Sequence, residues 1–174
     1  MLILMPAASA RNQETYRNMA EGFELQYPGD WVVTENVKNE EFEVNLHNKT
    51  NPNMIFTIST IKSDAAEYTN NYILNNPAAM VEENKKKWTG VAQKYNGAME
   101  FLGYELVNIG GKKGLYCHAR VTGTENGEAV SLEFMEYCTA YRDKAYLIMI
   151  GCETAEFDKQ SEFFRLMMNS FRIL

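Results

Sequence analysis

Residues 99–152 restrict the fold more than any other part of the chain, because they form a run of extended segments separated by very short turns. Residues 99–109 lead into Gly110-Gly111-Lys112-Lys113-Gly114, residues 115–122 into Thr124-Glu125-Asn126-Gly127, and residues 129–141 into Arg142-Asp143-Lys144. A last segment runs from Ala145 to Cys152. Parallel neighbours need a crossover of a dozen or more residues, so turns this short predict antiparallel pairing. Asn-Gly is the strongest of the turn signals, since both residues tolerate the positive φ of a two-residue hairpin. Two-residue turns at Asn126-Gly127 and Asp143-Lys144 pair 124 with 129 and 142 with 145, and the register follows along each ladder. One sheet face then gathers Leu115, Cys117, Val121, Leu132, Phe134 and Cys138, with Glu136 as its one charge and no evident partner for it. The other gathers Tyr116, His118, Arg120, Glu133, Tyr137, Tyr141 and Tyr146, with Arg120 opposite Glu133.

Upstream, Phe23, Leu25 and Tyr27 alternate with polar residues ahead of the turn Pro28-Gly29-Asp30, and Trp31-Val32-Val33 resumes extended chain. Residues 42–46 alternate again. Residues 54–61 follow the turn Asn51-Pro52-Asn53 and point Met54, Phe56, Ile58 and Thr60 at the core. Two helices are predicted next. One covers residues 64–74, with Ser63 as its cap and Asp64 and Glu67 in its first turn. The other covers 77–89, opened by Asn76 and Pro77 and ended near Gly90. Met80, Val81, Asn84 and Trp88 lie on its inner side, and Glu82, Glu83 and Lys85 to Lys87 point outward. Residues 157–170 close the chain as an amphipathic helix. Strands, helix, four more strands and a helix make one α+β domain over residues 22–174, with residues 1–21 outside it.

With 17 basic and 23 acidic residues the chain carries a net charge of −6, which argues against a nucleic-acid binder. No apolar run approaches the roughly 20 residues of a membrane-spanning helix. Ala8-Ser9-Ala10 after an apolar run has the small-x-small form that signal peptidase cuts, so residues 1–21 are expected to be the remnant of a secretory signal followed by a flexible segment. Cys117, Cys138 and Cys152 are odd in number and widely spaced, which predicts buried free thiols rather than a disulfide framework.

Residues with catalytic chemistry do not converge in the sequence. Gly110 to Gly114 lacks the spacing of a phosphate loop. Cys117 and His118 are strand neighbours and point to opposite faces, so they do not ligate one ion. Glu40, Glu41 and Glu43 read as a solvated edge. Asn48-Lys49-Thr50 matches a glycosylation acceptor, and Trp31, Trp88, Met167 and Met168 read as core. No metal or cofactor is expected. The residues singled out for binding are Tyr116, His118, Arg120, Glu133 and Tyr137, because tyrosine and arginine are favoured where proteins recognise one another.

The segment Gly22-Phe-Glu-Leu-Gln-Tyr-Pro-Gly-Asp-Trp31 resembles the G-F-x-x-x-Y-P-x-x-W opening of PsbP-like domains. The closing strand at Lys144 to Ile148, with Phe157, Phe164 and Ser170-Phe171 after it, is similar as well. The resemblance implies an α/β/α sandwich around an antiparallel sheet. The superfamily includes the extrinsic photosystem II subunit, a nuclear-import regulator that binds a small GTPase, envelope lipoproteins of the DcrB type and chaperones of secreted effectors. It therefore implies an exported bacterial accessory protein without catalytic activity, binding a larger protein. The alternative is a small-molecule-binding domain or unrecognised hydrolase with a pocket between helix and sheet.

Overall fold

The computed structural model describes residues 13–38, 41–51, 53–62 and 70–174. Its centre is a seven-stranded antiparallel sheet. The strands are β3 (Trp31–Lys38), β4 (Glu41–Asn48), β5 (Ile55–Lys62), β6 (Ala98–Ile109), β7 (Lys112–Glu125), β8 (Glu128–Tyr141) and β9 (Lys144–Glu153), in the order β3-β4-β5-β9-β8-β7-β6. A second sheet of three strands joins β1 (Gln13–Asn18), β2 (Phe23–Pro28) and β10 (Arg172–Ile173). Helices α1 (Asn70–Asn75) and α2 (Pro77–Lys94) cover one face of the large sheet, while α3 (Thr154–Ser170) and the small sheet cover the other. This is the expected α+β sandwich.

Each layer is held by apolar side chains at the period of its element. On α2, Val81, Trp88 and Ala92 recur at helical spacing and are buried. Trp88 stacks on Phe134 of β8 with ring centroids 4.2 Å apart. Ile73 and Val81 close over Leu115, Cys117 and Cys138. On the opposite side Phe157, Phe164, Met167 and Met168 of α3 meet Phe23 and Leu25 of the small sheet above Phe56, Ile58, Ile148 and Ile150. Trp31 belongs to this core and packs on Phe163 at 5.7 Å. Burying side chains of this size contributes about 1.5–3 kcal/mol each. Met54, Phe56, Ile58 and Thr60 point inward as their alternation predicts.

Four features differ from the sequence reading. Gln13–Asn18 lie within the stretch assigned to a flexible segment, yet they pair along β2 from Gln13↔Pro28 to Asn18↔Phe23. Helix α2 runs through Gly90, because Ala92 continues the buried stripe of Trp88. The chain reverses instead at Asn96, whose φ is +49°, with the Gly97 N–H returning to the Ala92 carbonyl at 3.0 Å. The turn between β8 and β9 is Arg142-Asp143, so Tyr141 pairs with Lys144. That moves the register by two residues and leaves every side chain on its expected face. The loop after β6 is the two-residue turn Gly110-Gly111, both at positive φ. The proposed signal remnant up to Asn12, the cap and first turn at residues 63–69, and Glu40 lie outside the described residues.

Candidate functional site

The residues singled out for binding sit on β7 and β8, and the Asn126-Gly127 turn sets their register. Asn126 and Gly127 take φ of +52° and +84°, and Thr124 pairs with Ala129. Arg120 therefore lies directly opposite Glu133. Arg120 Nε and one terminal nitrogen donate to Glu133 Oε2 at 3.1 and 3.0 Å. Its other terminal nitrogen donates to Glu100 Oε2 at 3.1 Å. The bond to Glu133 raises the Arg120 pKa above its ordinary value. Glu133 is 4% exposed, and its Oε1 lies 2.7 Å from His118 Nε2. The His118 ring stacks on Phe157 of α3, centroids 5.3 Å apart. A buried carboxylate needs such partners, and here both of its oxygens are occupied.

Tyr116, His118 and Arg120 are half-buried beside this carboxylate, with exposed Glu100 and Glu105 on the neighbouring β6. Burial, with Glu105 and Glu133 near, pushes the Tyr116 hydroxyl up to about 12. Tyr137 does not share that surface. It is fully buried, and its hydroxyl donates to the carbonyls of Lys112 at 2.8 Å and Ile109 at 3.3 Å. Its ring fills the space over Gly114, which has no side chain to oppose it. Four of the five residues thus come together, and the fifth is a core residue. Thr139 and Tyr146 of the same face are buried as well.

Glu100 was not foreseen. From the Gly110-Gly111 turn the β6–β7 register would bring Phe101 opposite Arg120. An extra residue between Phe101 and Gly103 shifts the ladder, and Glu100 takes that place. A β-bulge re-aims the side chains beyond it. The bulged residue, Leu102, and its neighbours Tyr104 and Leu106 are the exposed apolar residues of this edge.

On the other sheet face Glu136 does have partners. Asn84 Nδ2 donates to its Oε1 at 2.6 Å, and the Lys87 ammonium reaches Oε2. Lys87 was expected to point outward; its long stem lets it reach inward from an exposed position. Cys117, opposite Glu136, and Cys138, opposite Leu115, are free thiols on diagonal positions. Burial pushes these two and Cys152 up to about 12, so the thiolate needed of a nucleophile is disfavoured. Asn48 is a turn residue, its Oδ1 accepting from the N–H groups of Thr50 and Asn51 at 2.8 and 3.0 Å. An open cleft of about 730 Å³ lies at the β7–β8 tip, lined by Ile55, Leu132 and Phe134 together with Glu125, Glu128 and Glu153. Among the described residues no three His, Cys, Asp or Glu are placed to hold a metal ion, and no helix is long and apolar enough to cross a membrane.

Solved structures of other proteins share this architecture. Cyanobacterial PsbP (CyanoP) from Synechocystis sp. PCC 6803 aligns with a TM-score of 0.71 at 14% identity, covering 99% of both chains. A protein from Bacteroides thetaiotaomicron aligns at 0.56 and 16% identity over 92% of this chain and 48% of its own. The Ran-binding protein Mog1p from Saccharomyces cerevisiae aligns at 0.54 and 10% identity over 94% and 96%. No curated protein matches the sequence. The sequence model of PsbP matches residues 11–173, which takes in both sheets and all three helices, and the chain therefore belongs to the PsbP family.

Proposed function

We propose that this protein is an exported accessory protein of the bacterial envelope, without catalytic activity of its own, that acts by binding a larger protein. The observation that carries this reading is the fixed, half-exposed group of Tyr116, His118 and Arg120. Glu133 holds Arg120 through two hydrogen bonds, and Phe157 stacks on His118. Side chains ordered before binding lose less freedom on association. Arginine and tyrosine are the types that dominate recognition surfaces. Membership of the PsbP family and a fold shared with a Ran-binding protein support the same reading. Export rests on the Ala8-Ser9-Ala10 pattern.

The test is capture of a partner from envelope fractions on immobilised wild-type protein, beside Arg120→Ala and Tyr116→Ala variants that circular dichroism shows to be folded. Loss of the captured protein with both variants supports the proposal. Equal capture by all three places the contact elsewhere.

A further inference from the structure

Basic side chains and two exposed apolar residues, Met19 and Leu174, gather at one end of the molecule, away from the Arg120 surface. The β6–β7 turn, the β8–β9 turn and the last residue of β5 meet there and bring together Lys62, Lys112, Lys113 and Arg142. Lys112 Nζ lies 4.0 Å from the centre of the Tyr141 ring, and the Arg142 guanidinium lies 5.1 Å from it. Two cations thus share one aromatic ring. Arg142 occupies a φ of +56°, which a non-glycine residue seldom adopts. The turn between β1 and β2 is fastened over the same end, Lys144 Nζ donating to Ala20 O at 2.7 Å and Glu21 Oε2 at 2.9 Å. That turn presents Met19, which is 74% exposed, and Leu174 is bonded to its Gly22 carbonyl and is 45% exposed. Among the described residues the acids at this end are Glu21, bonded to Lys144 and Thr60 and also near Lys62, Glu41, which pairs with Ile61 in the sheet, and Asp143, beside Arg142 in the turn. The opposite end, roughly 40 Å away along β8, carries Glu125, Glu128 and Glu153.

We propose that this end docks on an anionic lipid surface, with Met19 entering the interface and Lys62, Lys112, Lys113 and Arg142 facing the headgroups. Lysine is depleted at protein–protein interfaces, whereas basic clusters beside a protruding apolar side chain suit an anionic bilayer surface. In a chain of net charge −6, the segregated charge also orients the molecule, because the acidic end is repelled.

The experiment is co-sedimentation of the full chain with phosphatidylcholine vesicles, with and without phosphatidylglycerol, at low and high salt. Binding is expected only with phosphatidylglycerol and is expected to fall as salt screens it. A Lys62→Gln, Lys113→Gln, Arg142→Asn variant should bind on the order of 100-fold more weakly. Met19→Asp, on an exposed turn, should also weaken binding, and it decides the matter with the salt series if the triple variant does not fold. Lys85→Gln with Lys86→Gln, on the exposed side of α2, should bind as wild type. No binding to anionic vesicles, equal binding to neutral ones, or undiminished binding by Met19→Asp and the triple variant overturns the proposal. So does retention on immobilised polyglutamate without binding to vesicles, which marks an acidic protein as the partner.

Discussion

Asn84 of helix α2 donates a 2.6 Å hydrogen bond to Glu136, a carboxylate buried between that helix and β8. With Lys87 on the other oxygen, a charge that the strand pattern leaves stranded becomes the polar link between helix and sheet. Asn84→Ala removes one partner of a buried anion and should cost about 2 kcal/mol, read from urea denaturation. Asn84→Asp should cost more at neutral pH, since two carboxylates would then share the site. One of them is driven to a higher pKa in the fold, so stability is lost as pH rises through that pKa and regained as pH falls. A variant as stable as wild type at neutral pH would contradict the geometry.

The thiols predict an alkaline limit. Cys117, Cys138 and Cys152 are raised by burial from 9.0 to about 12. An unfolded chain ionises them first, so the stability from keeping them protonated is complete below about 9 and is lost between about 9 and 12. Denaturation midpoints should fall over that window, and less steeply in a Cys138→Ala variant. An alkylating reagent should modify the thiols only after denaturant is added; rapid modification of the native protein would refute their burial.

Tyr137 should behave as a core residue. Tyr137→Phe loses a hydroxyl that serves two carbonyls and should cost about 1 kcal/mol. Tyr137→Ala should cost about 3–5 kcal/mol. Gly114→Ala should also destabilise, because its Cβ would lie 2.8 Å from the Tyr137 ring and 2.4 Å from the Cys138 carbonyl oxygen. Thermal melts of the three variants check the order.

These residues also mark how far the fold and site were legible in the sequence. Period-two alternation and the Asn126-Gly127 turn were enough to put Arg120 opposite Glu133. The β8–β9 turn lies one residue earlier than expected, and its faces survive because the resulting shift is even. Strand β1, Gln13–Asn18, carries no apolar alternation; it exists because β2 offers it an edge. Tyr137 read as surface because tyrosine suits both core and interface, and only the packing of α3 and the small sheet over that face decides between them. Glu100 reaches Arg120 through a bulge, and Lys87 reaches Glu136 through a flexible stem. Neither leaves a periodic signal.

The proposed function requires that a partner engage Arg120 and its neighbours. Its most direct test is the affinity of an identified envelope partner for wild-type protein and for Arg120→Ala, measured by calorimetry on samples of equal helix and strand content. At least about a tenfold loss of affinity is expected for Arg120→Ala, the scale of a side chain that dominates an interface. Unchanged affinity in a folded Arg120→Ala variant would contradict it.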